Sequence, residues 1–229
     1  MGTKHSIAIV ADGDFPTAAL PLKLLSEAEI VIACDGAVES LTAAGFKTDY
    51  IVGDIDTLPQ DKQLEYKEKV VRIAEQDSND LTKAFRFALE LFPKKDRQEA
   101  LDISILGATG KREDHTIGNV SLLADYIEQA RKCTWLKVNI QALTDYGVFV
   151  PYYPEESDLK VHLDNMKGRA VSIFAFDNSL RVTSQGLEYQ TSGVRFDRWW
   201  KATLNRIAEE KALLILSHSA PILLYFPVC

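Results

Sequence analysis

The chain has 229 residues, of which 46% are hydrophobic and 26% charged, with a formal net charge of −7. That length buries a core as one large domain or two small ones, and that composition excludes a mainly disordered chain. The negative balance also excludes a general nucleic-acid or anionic-membrane surface, which would need a basic excess.

Cys34, Cys133 and Cys229 are odd in number and lack metal-ligand spacing, so they read as reduced thiols of a cytoplasmic protein. The first apolar run, residues 7–11, is strand-length and stops at Asp12, which does not fit a signal peptide. No run approaches the roughly 20 apolar residues that a membrane span requires.

Taken in order, the first half alternates apolar bursts with amphipathic stretches. Residues 6–11, 30–34, 50–52, 70–74 and 103–106 are short, β-branched and bounded by Gly or Asp, which predicts buried strands. Helices are expected between them at 16–25, 37–44, 59–69, 79–92 and 114–130. In the fourth, Leu81, Phe85, Ala88 and Phe92 recur at helical spacing behind Ser78 as the N-cap. In the fifth, Ile117, Val120, Ala124 and Ile127 do the same. This grammar predicts an α/β domain over residues 1–135, a mostly parallel, Rossmann-like sheet in three layers, with ligands at the carboxyl ends of its strands.

Past residue 135 the pattern changes. Residues 138–149, 159–163, 169–176, 181–189, 199–207, 212–217 and 222–226 are strand-like, with turn signals at 165–168, 177–179 and 217–221. An antiparallel β-sandwich is expected over 140–229, with the boundary near 134–144.

Four acidic clusters fall where first-half strands should end: ACDGA (33–37), GDIDT (53–57), EQDSND (75–80) and GATGKREDH (107–115). Carboxylates converging on one sheet edge repel one another unless a cation sits between them, and the usual occupant is Mg²⁺ carrying phosphates. Asp54 and Asp56 are two apart, so an extended segment would point both the same way, suited to one divalent ion. The same DxD pattern occurs in glycosyltransferases and in haloacid-dehalogenase-type phosphatases, although Leu58 stands where the latter want Thr or Val. Asp77 and Asp80 read either as helix caps or as further metal ligands. In the last cluster Gly107 and Gly110 permit close backbone approach, Lys111 and Arg112 supply cation, and Asp114 opens the next helix. His115 fits either acid/base work or a hydrogen-bonding role at a helix start, and Asp35-Gly36 fits either a ribose or metal contact or a plain turn.

In this order the clusters resemble thiamine pyrophosphokinases, whose pattern runs ADGG, GDFDS, QDSTDLEKAL and GATGGRLDHT. Gly186-Leu187-Glu188-Tyr189 matches the GLxY of that family's second half, so the likeness covers most of the chain. The resemblance implies transfer of pyrophosphate from ATP to the hydroxyl of thiamine, with release of AMP, by a homodimer. Its ATP site would lie in the α/β domain and its thiamine site at the dimer interface. It implies Mg²⁺ at Asp54, Asp56, Asp77 and Asp80, with Asp114 joining them in catalysis. Nucleotide contacts would come from Asp35, Gly36, Gly107, Thr109, Gly110, Arg112 and His115, and substrate contacts from Thr203 and Asn205. Of the nearby Trp199 and Trp200, one fits either stacking on the cationic thiazolium, with Trp200 the candidate, or a place in the sandwich core. The chain departs from the pattern at Ala37, at Lys111 in place of Gly, and at Leu204 in place of the Ser of a Ser-Asn pair. The rivals are a pyrophosphokinase for another alcohol such as a hydroxymethylpterin, a glycosyltransferase built on the DxD, and a non-catalytic nucleotide-binding module.

Overall fold

The computed structural model describes residues 3–94 and 99–228; Cys229 lies outside them. The chain divides into two compact units, residues 1–122 with 129–145, and residues 123–128 with 146–229.

In the first unit the apolar bursts become β1 (Lys4–Val10), β2 (Ile30–Cys34), β3 (Tyr50–Gly53), β4 (Val70–Arg72), β5 (Glu99–Leu106) and β6 (Leu136–Thr144). They lie side by side in the order β6-β5-β1-β2-β3-β4, and every pairing is parallel. Ile7, Ile9, Ile32, Ile51, Leu101, Ile103 and Ile105 are fully buried in these strands, which is why the sequence shows continuous apolar runs instead of alternation. From β1 the chain builds outward through β2 to β4, then returns to the other side of β1 with β5. The order therefore reverses between β1 and β5, and the loops beyond their carboxyl ends face a crevice.

The helices are α1 (Ala19–Glu27), α2 (Ala37–Ala43), α3 (Gln60–Glu65), α4 (Asp80–Glu90) and α5 (Glu113–Lys132). The third is shorter than expected because QDKQLE has no apolar face: it buries no residue, and Leu64 is exposed. In α4 the predicted stripe is buried, but the N-cap is Asn79, whose side chain accepts from Thr82 N at 2.9 Å. Ser78 instead donates its hydroxyl to Glu75. In α5 the buried residues are Leu123, Ala124, Tyr126 and Ala130, whereas Ile117 is exposed.

The segment expected as one strand over 138–149 is two, broken at Asp145-Tyr146. The break has a physical cause within the first unit. The Asp145 carboxylate accepts from Thr17 N and Ala18 N, both at 2.9 Å, and from the Thr17 hydroxyl at 2.6 Å. It thereby serves the start of α1, whose own N-cap Ala18 offers no side-chain acceptor. Burial raises the Asp145 pKa, but these hydrogen bonds outweigh it and hold the carboxyl below its ordinary value.

The second unit holds β7 (Gly147–Tyr152), β8 (Lys160–His162), β9 (Ala170–Ala175), β10 (Val182–Gln185), β11 (Asn205–Arg206), β12 (Leu213–Leu216) and β13 (Ile222–Pro227). They form two antiparallel sets, β11-β9-β13-β7 and β10-β12-β8. Val171, Ile173 and Leu224 from one set pack with Val161, Val182 and Leu214 from the other in a single core, which makes the unit a sandwich. The strand expected over 199–207 is reduced to two residues near its end. Trp199–Ala202 forms a 3-10 turn, Leu204 adopts a left-handed φ of 58°, and only Asn205–Arg206 pairs as a strand.

Candidate active site

A cleft of about 380 Å³ opens at the carboxyl ends of the first unit's strands, with Asp12, Asp35, Thr57, Asp80, Lys111 and His115 among its lining. That volume suits a small-molecule site. Its frame is made by backbone: Ala11 N donates to Leu106 O at 2.8 Å, Gly13 N to Gly107 O at 2.7 Å and Asp14 N to Thr109 O at 2.8 Å. The loops after β1 and β5 are thus laced together at the crossing of the chain.

The lacing explains the glycines. A Cβ on Gly13 would stand 2.3 Å from both Gly107 O and Thr109 O. Gly110 has a φ of 82°, and a Cβ there would meet the Asp14 carboxylate at 2.1 Å. Close approach of the two loops, as well as any approach to phosphate, therefore demands glycine. Gly13→Ala is expected to lower unfolding stability by about 1–3 kcal/mol, because the laced backbones must part. Urea unfolding checks it, and an unchanged midpoint would contradict the lacing.

Three carboxylates converge beside the cleft. Asp35, Asp54 and Asp56 each present an oxygen within 4.8 Å of the others. The segment is not extended as expected: Ile55 has a left-handed φ of 64° with its side chain buried, and this turn draws Asp54 and Asp56 together. Asp35, only 3% exposed, completes the group. One of its oxygens accepts from Thr57 N at 3.3 Å, while Oδ1 is buried without a hydrogen-bond partner among the described residues. Burial raises the Asp35 pKa; hydrogen bonds from Thr57 oppose this, and the charges of Asp80 and Asp54 add to it.

Asp80, the first residue of α4, belongs to the same edge through Lys83. The Lys83 ammonium is 2% exposed and lies 3.1 Å from Asp80 Oδ1 and 3.6 Å from Asp54 Oδ2. Burial lowers the Lys83 pKa, but the Asp80 hydrogen bond and the charges of Asp80, Asp54 and Glu75 outweigh it, so the ammonium is held above its ordinary value. Gln76 Nε2 donates to Asp54 Oδ2 at 3.0 Å, the main reason the Asp54 pKa falls below the ordinary range. Asp77 stands apart: it is exposed, its amide donates to Glu75 at 2.7 Å, and it neither lines the cleft nor joins the three-carboxylate group.

The loop after β5 supplies cation. Arg112 grips Asp114 bidentately, Nε to Oδ1 at 3.1 Å and Nη2 to Oδ2 at 2.5 Å. That grip, with the His115 amide, lowers the Asp114 pKa to about 2. Lys111 Nζ lies 2.9 Å from Asp12 Oδ1. Gly36, Gly110, Arg112 and His115 line the cleft. Gly107 and Thr109 are not among its lining, and their carbonyls hold the β1 loop. The Gly110 amide donates to the Thr116 hydroxyl at 3.1 Å.

In the second unit, Asn205 is buried and its amide is fully engaged with backbone. Oδ1 accepts from Tyr189 N at 3.1 Å and Arg206 N at 2.8 Å, while Nδ2 donates to Tyr189 O at 2.7 Å. It fixes the Tyr189 loop to the 200s turn. The Thr203 hydroxyl donates to Trp200 O at 2.8 Å. Trp199 packs edge-on against Phe174 and Phe176 while still 42% exposed, and Trp200 and Leu204 are exposed further.

Two family models match consecutive stretches of the chain: the thiamin pyrophosphokinase catalytic domain over residues 22–135, and the thiamin pyrophosphokinase substrate-binding domain over residues 147–225. The chain belongs to the thiamin pyrophosphokinase family. It is 25% identical over 178 residues to thiamin pyrophosphokinase 1 of Caenorhabditis elegans, covering 76% of this chain and 69% of that one. It is 24% identical over 181 residues to thiamine pyrophosphokinase 1 of rice, Oryza sativa subsp. japonica, covering 76% of this chain and 64% of that one. Its fold is that of the crystal structure of thiamine pyrophosphokinase from Bacillus subtilis, with a TM-score of 0.71 at 20% identity over 97% of this chain and 99% of that one.

Membership makes this chain an ATP-dependent pyrophosphotransferase, and it favours thiamine over a pterin alcohol as acceptor. Within the family's catalytic domain, residue-by-residue reading of the sequence missed the roles of Lys83 and Gln76. Gln76 lies within the EQDSND cluster and Lys83 three residues past it, but nothing local marks a helical lysine as buried. Among the described residues no helix is long and apolar enough to cross a membrane.

Proposed function

We propose that the acidic edge of the first unit binds ATP with Mg²⁺ and directs pyrophosphoryl transfer to the primary hydroxyl of thiamine, leaving AMP. The observation that carries this is the convergence of Asp35, Asp54 and Asp56, with the buried Asp35 Oδ1 left without a partner. Oxygen-only ligands with one orphaned lone pair suit a hard divalent cation. Asp35, Asp54 and Asp56 would hold the ion, which when bound neutralises the polyphosphate and polarises its phosphorus–oxygen bonds.

The remaining work is positioning. Lys83 and Gln76 hold Asp54 in one orientation, and Lys83 ties Asp80 to it. The protein thus keeps its carboxylates preorganised instead of letting them splay apart. Asp80, the first residue of α4, stands for orienting the hydroxyl or taking its proton. Arg112, held by Asp114, and the backbone at Gly36 and Gly110 stand for the phosphates, with His115 at the cleft's rim. The acceptor half is assigned to the second unit, where Trp200 offers an aromatic face to the cationic thiazolium and Asn205 and Thr203 fix the turn that carries it. The working assembly is a cytoplasmic homodimer.

The test is direct. Incubation with ATP and Mg²⁺, with and without thiamine, should give thiamine-dependent AMP and no ADP, and chelation of the metal should stop it. ADP as product, or AMP only with a hydroxymethylpterin, would overturn the reading. Light scattering should return twice the chain mass; a monomer that retained full activity would remove the dimer from the account.

A further inference from the structure

We propose that Lys111 is a phosphate-binding residue, which Asp12 holds at the mouth of the cleft until a nucleotide polyphosphate displaces it. The proposal rests on the reading that this cleft takes a nucleotide, and it concerns a position where the family motif carries glycine.

The backbone supplies the first observation. Lys111 adopts a φ of 56°, a conformation that disfavours any residue with a Cβ by about 1–2 kcal/mol and that glycine adopts freely. A lysine here is therefore a local cost to the loop, offset only by what its side chain does. The second observation is where that side chain goes. Its ammonium crosses from the β5 loop to the β1 loop and meets Asp12 Oδ1 at 2.9 Å, and both residues line the cleft. The loops themselves are already laced by three backbone hydrogen bonds, so the ion pair is not needed to join them.

The third observation is exchangeability. The pair is 50% and 58% exposed and monodentate, and such pairs contribute about 0–1 kcal/mol. Its neighbour Arg112 is tied by two hydrogen bonds to Asp114. Lys111 is thus the more easily released of the loop's two cations. A phosphate oxygen replacing Asp12 Oδ1 keeps the ammonium paired and bonded, while the displaced Asp12 carboxylate, 58% exposed, passes to water. Because each added phosphate brings more negative charge to the mouth, Lys111 should favour ATP over ADP and leave AMP nearly untouched.

Equilibrium binding of ATP, ADP and AMP with Mg²⁺, without thiamine, tests this on four variants. Lys111→Ala and Lys111→Gly should each weaken ATP about tenfold, ADP less, and AMP not at all. Lys111→Arg should keep most of the affinity. Lys111→Gly should unfold at the same temperature as the parent or higher, which separates binding from folding. Asp12→Ala, by removing the competitor, should tighten ATP about threefold. In turnover the Lys111 losses should fall on KM for ATP, with kcat little changed. Unchanged ATP affinity in Lys111→Gly would reduce the pair to a surface ion pair and overturn the proposal, as would equal weakening of all three nucleotides. If the parent binds ATP yet forms no AMP from thiamine, the acceptor reading falls while the Lys111 comparison still stands. A parent that binds no nucleotide overturns both.

Discussion

Lys83→Met is expected to destabilise the protein by about 3 kcal/mol, the scale of a broken buried ion pair. The ammonium is 2% exposed and lies between Asp54 and Asp80, whose own side chains are 17% and 33% exposed. Methionine keeps the apolar stem and removes only the charge, so the loss reports electrostatics and not a cavity. Without the cation, Asp35, Asp54 and Asp56 at the ends of β2 and β3 and Asp80 at the start of α4 lose the buried ammonium that Asp54 and Asp80 share. The partial exposure of the two partners keeps the figure at the low end of the range for broken buried pairs. Added Mg²⁺ should raise the unfolding temperature of Lys83→Met more than that of the parent, because the ion meets a less compensated edge. Denaturant unfolding with and without the metal measures both. A loss under about 1 kcal/mol, or no excess response to metal, would show that Lys83 does not balance the edge.

Asp56→Asn should do the opposite: little to stability and much to activity. Asp56 is exposed, so a neutral amide there changes folding by no more than about 0.5 kcal/mol. Any residual effect should be a gain, from relief of repulsion with Asp35 and Asp54. Turnover should fall about 10²–10³-fold, the scale on which a preorganised charge at a reacting phosphate matters. Asp54 would be a poorer probe, since it also holds Lys83 and Gln76 and its loss would disturb both. Thiamine-dependent AMP formation alongside a thermal melt decides the matter. Activity within tenfold of the parent, or a protein that melts much earlier, would remove Asp56 from the metal site.

The fold was legible in the sequence wherever a local pattern is tied to burial. Strands such as Ile30–Cys34 sit in a sheet covered on both faces, so every residue is apolar and the run announces itself. The stripe of Leu81, Phe85 and Ala88 on α4 is equally local. Legibility failed where the deciding contact is distant. The break at Asp145 exists because Thr17 and Ala18, more than a hundred residues earlier, need an acceptor. The 199–207 segment reads as a strand, yet Asn205 is consumed by the backbone of Tyr189 and Leu204 turns left-handed.

The same division runs through the site. The sequence by itself determined that acidic clusters stand at successive strand ends, and their order and spacing determined the phosphate chemistry and the family. Strand ends are set by local composition, so a carboxylate just past one is placed without knowing the rest of the molecule. Only the tertiary structure decided which carboxylates meet. Asp54 and Asp56 meet across the left-handed turn at Ile55, Asp35 reaches them from the end of the neighbouring strand β2, and Asp77 stays outside with its amide bonded to Glu75. Lys83 became the edge's internal counter-charge because its helix is packed with that face inward. Proximity across the sheet depends on backbone handedness and on neighbours far along the chain, and neither leaves a mark in the local pattern.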